Sequence, residues 1–212
     1  MSTKIRESLA ACYRRMGEAR LGSGASGNVS LRAGDSLFST PTGACPGSML
    51  PEQVVEMSIE GKPVAGQSKP SSEWRMHAGI YAARPDAGAI VHCHSRYATT
   101  LACAHRTLPA VHYMIAAAGS REIPLAPYAT FGTVELAELA VAAMGQGRAC
   151  LLANHGQIAL GDTVEEALSL AVEVEELAAL YVGAEQLGGA RLLDDSAMSL
   201  VETAFKTYGQ QS

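Results

Sequence analysis

The chain has 212 residues, 48% hydrophobic and 17% charged, a globular composition with enough apolar mass for one substantial core. A net charge of −5 without any basic run argues against nucleic acid as a partner and leaves a small phosphorylated molecule open. The five cysteines, Cys12, Cys45, Cys93, Cys103 and Cys150, are odd in number and irregularly spaced, so they do not form a disulfide framework.

The first residues, Met1-Ser-Thr-Lys-Ile-Arg-Glu7, lack the apolar stretch of a signal peptide. The apolar run Ala87 to Val91 is far too short to span a bilayer. A soluble cytoplasmic protein with no membrane partner is expected. No repeat, low-complexity stretch or linker interrupts the chain, so residues 1–212 read as one domain.

Ile5, Leu9, Tyr13 and Met16 recur at helical spacing and predict a helix over about Thr3–Leu21, with Gly22 as its C-cap. A loop with three glycines follows, Gly22 to Asn28. Val29–Arg32 and Ser36–Thr40 read as short strands turning at Gly34-Asp35. Pro51 is expected to open a short helix through Met57. Ser71-Ser72 are expected to cap a helix to about Ala83, stopping before Pro85. Ala87–His94 reads as a buried strand, Ser95 as the cap of a helix to about Ala104, and Ile123–Ala126 as a strand. Thr133 caps a helix to Met144, and Arg148–Ala153 is a buried strand. Asp162 or Thr163, with Glu165 or Glu166 as capping box, starts the longest helix, which ends at Gly188-Gly189. This irregular alternation predicts an α/β fold: a central, mostly antiparallel sheet with helices on both sides.

Three segments carry chemistry. His92-Cys93-His94 ends a strand, so both imidazoles project from one face and Cys93 from the other. Two imidazoles on a rigid strand make a two-point metal site; the alternative is a pair of satisfied polar residues at a strand end. Asn154-His155-Gly156 follows another strand, and a third imidazole would leave zinc an open position; spacing alone does not show that His155 meets the pair. Lys69-Pro-Ser-Ser-Glu73 places two hydroxyls and a carboxylate at a predicted helix start, which suits an anion but is equally explained by capping. Gly27-Asn28 and Thr40-Pro-Thr-Gly43 are further candidates for a phosphate cradle.

Taken together the chain resembles the class II aldolase/adducin family, and within it the L-fuculose-1-phosphate aldolase branch. The matching segments are Gly27–Ser30, Thr40–Gly43, Pro70–Arg75, Val91–His94, Val111–Gly119, Ala126–Thr133, Asn154–Gly156 and Phe205–Gly209. They cover nearly the whole length, and their order makes the match specific. One departure is Asn154, where the family usually carries a first histidine before His155 and Gly156.

The resemblance implies zinc, one ion per subunit, held by His92, His94 and His155, with Glu73 as catalytic acid/base that also reaches the metal. It implies a phosphate site from Gly27, Asn28, Thr42, Gly43, Ser71 and Ser72, and an aldehyde pocket at Phe131 and Tyr208. Tyr113, a second catalytic residue, and Tyr208 match tyrosines supplied across subunit interfaces in a homotetramer. The activity implied is cleavage of a ketose 1-phosphate, L-fuculose 1-phosphate first, to dihydroxyacetone phosphate and L-lactaldehyde. The alternative substrates are 5-deoxyribulose and 5-methylthioribulose 1-phosphate. Sugar-phosphate 4-epimerases of this fold carry an aspartate where this chain has Glu73, and adducin-like modules have lost the metal site that all three histidines preserve here. A Schiff-base route has no support, since Lys4, Lys62, Lys69 and Lys206 all lie outside buried strands. His105 and His112 read as structural or solvent-facing, Trp74 as packing, and Glu173, Glu175 and Glu176 as a solvated helix face.

Overall fold

The computed structural model describes residues 2–62, 64 and 68–205. Seven strands build one sheet: β1 (Asn28–Ala33), β2 (Ser36–Ser39), β3 (Val55–Ser58), β4 (Ala89–Cys93), β5 (Leu125–Ala126), β6 (Ala149–Leu152) and β7 (Gly156–Gly161). Their order is β3-β2-β1-β4-β7-β6-β5, and every pairing is antiparallel except β5 with β6. Six helices accompany them: α1 (Ser2–Glu18), α2 (Trp74–Ala83), α3 (Arg96–Cys103), α4 (Val134–Met144), α5 (Val164–Gln186) and α6 (Asp195–Phe205). The expected mixed fold, a mostly antiparallel sheet with helices on both sides, is what forms.

Alternation of side chains along each strand sorts the apolar residues into two cores. Val91, Cys93, Leu151 and Ala159 face α1, α3 and α5. Ile90, Cys150, Leu152, Ile158 and Leu160 face α2 and α4. His92 shares the second face with Ile90 and is fully buried, whereas Cys93 belongs to the first core, as the strand period requires. Both faces being covered explains why β4, β6 and β7 are buried at every position along their length.

Three expectations are corrected. Residues 51–57 do not form a helix: a single 3-10 turn, Pro51–Gln53, leads into β3. Val55 and Met57 point inward while Glu56 and Ser58 are half-buried, a period of two that pairs with β2 and overrides the helix start offered by Pro51. Ser71 and Ser72 do not cap α2 either. The helix begins at Trp74, Glu73 occupies its N-cap position, and no side chain caps it there. Glu175 is not a solvated face: its carboxylate accepts hydrogen bonds from the backbone N–H of Tyr97, at 2.9 and 3.1 Å, and of Ala98, at 2.9 Å, at the head of α3. Two elements were not anticipated, β7 and α6. The α5 start is as expected, with Thr163 accepting from the Glu166 N–H and the Glu166 carboxylate accepting from the Asp162 N–H. Among the described residues no helix is long and apolar enough to cross a membrane.

Candidate active site

The centre of the sheet brings together three segments far apart in the chain. β4 delivers His92, and His94 follows at its end. β6 ends at Leu152, and the chain reverses through Asn154, in the left-handed region at φ 54°, to place His155 before β7. β4 and β7 are antiparallel neighbours, which brings Gly156 against the His92–His94 segment. A Cβ there would come within 2.4 Å of the Cys93 carbonyl oxygen and 2.9 Å of His94 Cδ2, so this position must be glycine. The third segment is the head of α2, which carries Glu73.

The four side chains form one cluster whose ligand atoms all lie within 4.8 Å of one another. The Glu73 carboxylate is 3.2 Å from His92 Nε2 and 3.2 Å from His155 Nε2. His92 Nε2 and His94 Nε2 are 3.0 Å apart, and the three rings stand edge to face at centroid distances of 4.8–4.9 Å. His92 Nδ1 is 2.9 Å from the Gln157 carbonyl. A carbonyl only accepts, so Nδ1 carries a proton and Nε2 faces the cluster, where a bound metal would take its lone pair. Burial, together with the charges of His92 and His155, pushes the His94 imidazole down to about 4, so it is neutral near pH 7. For Glu73 burial is the largest single influence and pushes the carboxyl up. The charge of His92 and the hydrogen bonds from His155 and His92 outweigh it and hold the group below the usual carboxylate range. Ring nitrogens 3.0 Å apart require a proton or a cation between them. Three imidazoles and a carboxylate at such separations are a donor set for zinc or a similar transition ion.

The cluster opens into a cavity of about 340 Å³. All six residues expected to bind phosphate line it: Gly27, Asn28, Thr42, Gly43, Ser71 and Ser72. The two loops are tied edge to edge, with Ser71 N–H donating to the Thr40 carbonyl and Thr42 N–H to the Lys69 carbonyl, both at 3.0 Å. Ser71 Oγ accepts from the Glu73 N–H at 3.3 Å. The Asn28 side-chain amide donates to Glu73 Oε2 at 2.9 Å, so its side chain is engaged with the carboxylate. Gly27, at φ 84°, leaves only 2.7 Å between a would-be Cβ and the His92 carbonyl oxygen. Phe131 lines it as well. Tyr113 does not line this cavity; it lies exposed on the 3-10 segment Tyr113–Ala118. Tyr208 falls outside the described residues.

Sequence reasoning passed over three features. Tyr128, inside the Ala126–Thr133 segment, joins Phe131 as a second exposed aromatic on the cavity wall. Asn154 also lines the cavity, and its Oδ1 lies 2.7 Å from His105 Nε2, which ties the His155 turn to the end of α3. Behind Glu73, Ser30 Oγ contacts His77 Nδ1 at 2.6 Å and the Tyr81 hydroxyl at 2.9 Å, all three fully buried. Burial first, and the charge of His92 second, push His77 down to about 3, so it too is neutral.

The sequence model of the "Class II Aldolase and Adducin N-terminal domain" matches residues 7–182. A 5-methylthioribulose-1-phosphate/5-deoxyribulose-1-phosphate aldolase of Rhodospirillum rubrum is 46% identical over 98% of this chain and 94% of its own. An L-fuculose phosphate aldolase of Escherichia coli is 45% identical over 89% of this chain and 88% of its own. A solved structure of an L-fuculose 1-phosphate aldolase superposes with a TM-score of 0.91 at 39% identity, covering 96% of both chains. With a fold, a four-residue metal-competent cluster and relatives that agree, the chain belongs to the class II aldolase and adducin family.

Proposed function

We propose that the protein is a zinc-dependent aldolase that cleaves a ketose 1-phosphate to dihydroxyacetone phosphate and a short aldehyde with an apolar end. The observation that carries this reading is the Glu73–His92–His94–His155 cluster opening into the same cavity as the Ser71-Ser72 and Thr42-Gly43 loops. When bound, zinc supplies the Lewis acidity needed by the negative charge that builds up on the ketose oxygens. The chain's own residues do the rest. The hydroxyls of Ser71, Ser72 and Thr42 and the backbone N–H of Gly43 hold the phosphate, which orients the reacting carbons. Glu73, kept ionised, moves the proton at the carbon that becomes nucleophilic. Tyr113 of a neighbouring subunit in a homotetramer exchanges a proton with the departing aldehyde oxygen; its exposure and its absence from the lining of its own cavity support that assignment.

The aromatic wall of Phe131 and Tyr128 suits an aldehyde ending in a methyl or methylthio group. L-fuculose 1-phosphate, giving L-lactaldehyde, is the substrate that the sequence motifs favour. A second reading, 5-deoxyribulose or 5-methylthioribulose 1-phosphate, is favoured by the Rhodospirillum rubrum relative, which matches 98% of this chain. A methyl group in an apolar pocket contributes only about 1–3 kcal/mol, so side activity among the three is expected. Assaying the three ketose 1-phosphates side by side, with and without the phosphate, tests the proposal. Loss of the phosphate should cost far more kcat/KM than any change at the aldehyde end. Equal values for phosphorylated and free ketose would overturn the phosphate cradle.

A further inference from the structure

We infer that Tyr81, Ser30 and His77 form a buried hydrogen-bond chain that sets the Asn28 amide, and through it the Glu73 carboxylate, making His77 a positioning residue for Glu73. The inference rests on the proposed role of Glu73 as acid/base. Asn28 and Ser30 are two apart on β1 and point to one face; His77 and Tyr81 are four apart along α2 and share one stripe, with Glu73 four residues before His77 at the N-cap. Strand and helix therefore meet in rungs: Asn28 with Glu73 at 2.9 Å, then Ser30 with His77 at 2.6 Å and with Tyr81 at 2.9 Å.

Counting donors fixes the direction. Ser30 Oγ is the one hydrogen-bond partner of the Tyr81 hydroxyl among the described residues. If Tyr81 donates to Ser30, Ser30 donates to His77 Nδ1, and the ring proton sits on Nε2. The reverse direction strands a buried Tyr81 O–H as well as His77 Nε2, and a Ser30 that accepts from both neighbours strands its own O–H as well as His77 Nε2; a stranded buried donor is costly, and the first arrangement leaves only His77 Nε2 open. His77 Nε2 and Asn28 Oδ1 are then a buried donor and a buried acceptor, each without a protein partner, on neighbouring rungs. Strand and helix rises set such rungs about 6–7 Å apart. A spacing of that order leaves room for one internal water between the two unpartnered atoms, which supply polar partners on both sides. The water accepts from His77 Nε2–H and donates to the Asn28 carbonyl. That bond holds the Asn28 amide from its other end with its NH₂ toward Glu73; the flipped amide would set its carbonyl against the carboxylate and leave the water two donors facing it.

Nitrogen NMR on protein labelled at histidine reads the tautomer of His77 directly. The Nε2–H form is expected in the native protein and a mixture of forms in Tyr81→Phe; an Nδ1–H form in the native protein overturns the inference. In the metal-loaded enzyme, His77→Leu should lose about 10–100-fold in kcat, the scale seen when a supporting partner is removed. KM and zinc content should not change, and His77→Gln, which restores a donor at the Nε2 position, should recover most of the loss. A native kcat in His77→Leu, or a rise in KM alone, would sink the relay. Should that variant fail to fold, Tyr81→Phe decides by its tautomer. Glu73→Gln, assayed in parallel, separates the two readings. If it is fully active the proposed function fails; if it is inactive while His77→Leu is normal, only the relay fails.

Discussion

At the scale of single residues the site divides by what each side chain donates. Glu73→Gln keeps the shape and the hydrogen bond from Asn28 but cannot take a proton. Turnover is expected to fall by about a hundred to ten thousand-fold, the usual worth of a general base, with metal retained. Steady-state kinetics alongside elemental analysis checks both halves. His155→Ala removes one of three imidazoles from a half-buried turn without touching either core, so metal and cleavage should vanish while the far-ultraviolet circular dichroism persists. Unchanged zinc content would reduce His155 to a loop residue. These residues were legible in the sequence because their chemistry is rare and their spacing on strands is short. The Ser30–His77–Tyr81 chain was not: its partners lie 47 and 51 positions apart, and none of the three residue types is unusual alone. Tyr128 was hidden for another reason, since an aromatic in a loop reads the same whether it packs or faces a cavity.

At the scale of elements, helices with strong caps were read nearly to their ends, and the failures have local causes. β7 opens and closes on glycine, Gly156 and Gly161, so it looked like a turn; its assignment comes from pairing with both β4 and β6. α6 buries only Met198 and is held by Arg121, which contacts Asp195, Ser199 and Glu202, a long-range set that no periodicity announces. Two element-level tests follow. Gly156→Ala forces a methyl group onto the Cys93 carbonyl and the His94 ring, and should weaken zinc binding by about 10–100-fold in a chelator competition. Glu175→Ala leaves the first N–H groups of α3 without their acceptor. The cost should be about 1 kcal/mol, as for loss of a helix cap, or a Tm lower by about 2–4 °C. Calorimetry would show it; an unchanged Tm would mean that water replaces the carboxylate at no cost.

At the scale of the whole molecule, the chain alone holds a cluster and a cavity but keeps Tyr113 outside it. In the proposed tetramer, co-expressed Tyr113→Phe and Glu73→Gln subunits should regain activity that neither has alone, because a site with intact Glu73 meets a neighbour with intact Tyr113. Activity no higher than the average of the parents would place Tyr113 outside the reaction. The three segments that converge at the centre of the sheet have one more consequence. An ion gripping the head of α2, the end of β4 and the turn before β7 acts as a cross-link that the unfolded chain cannot hold. Thermodynamic linkage then makes the metal a determinant of heat resistance: free ion at about a thousand times its Kd adds about 4 kcal/mol. A chelator should therefore lower the melting temperature by roughly 8–16 °C, in proportion to the logarithm of free metal, and the enzyme's tolerance of heat becomes a gauge of its supply of ion.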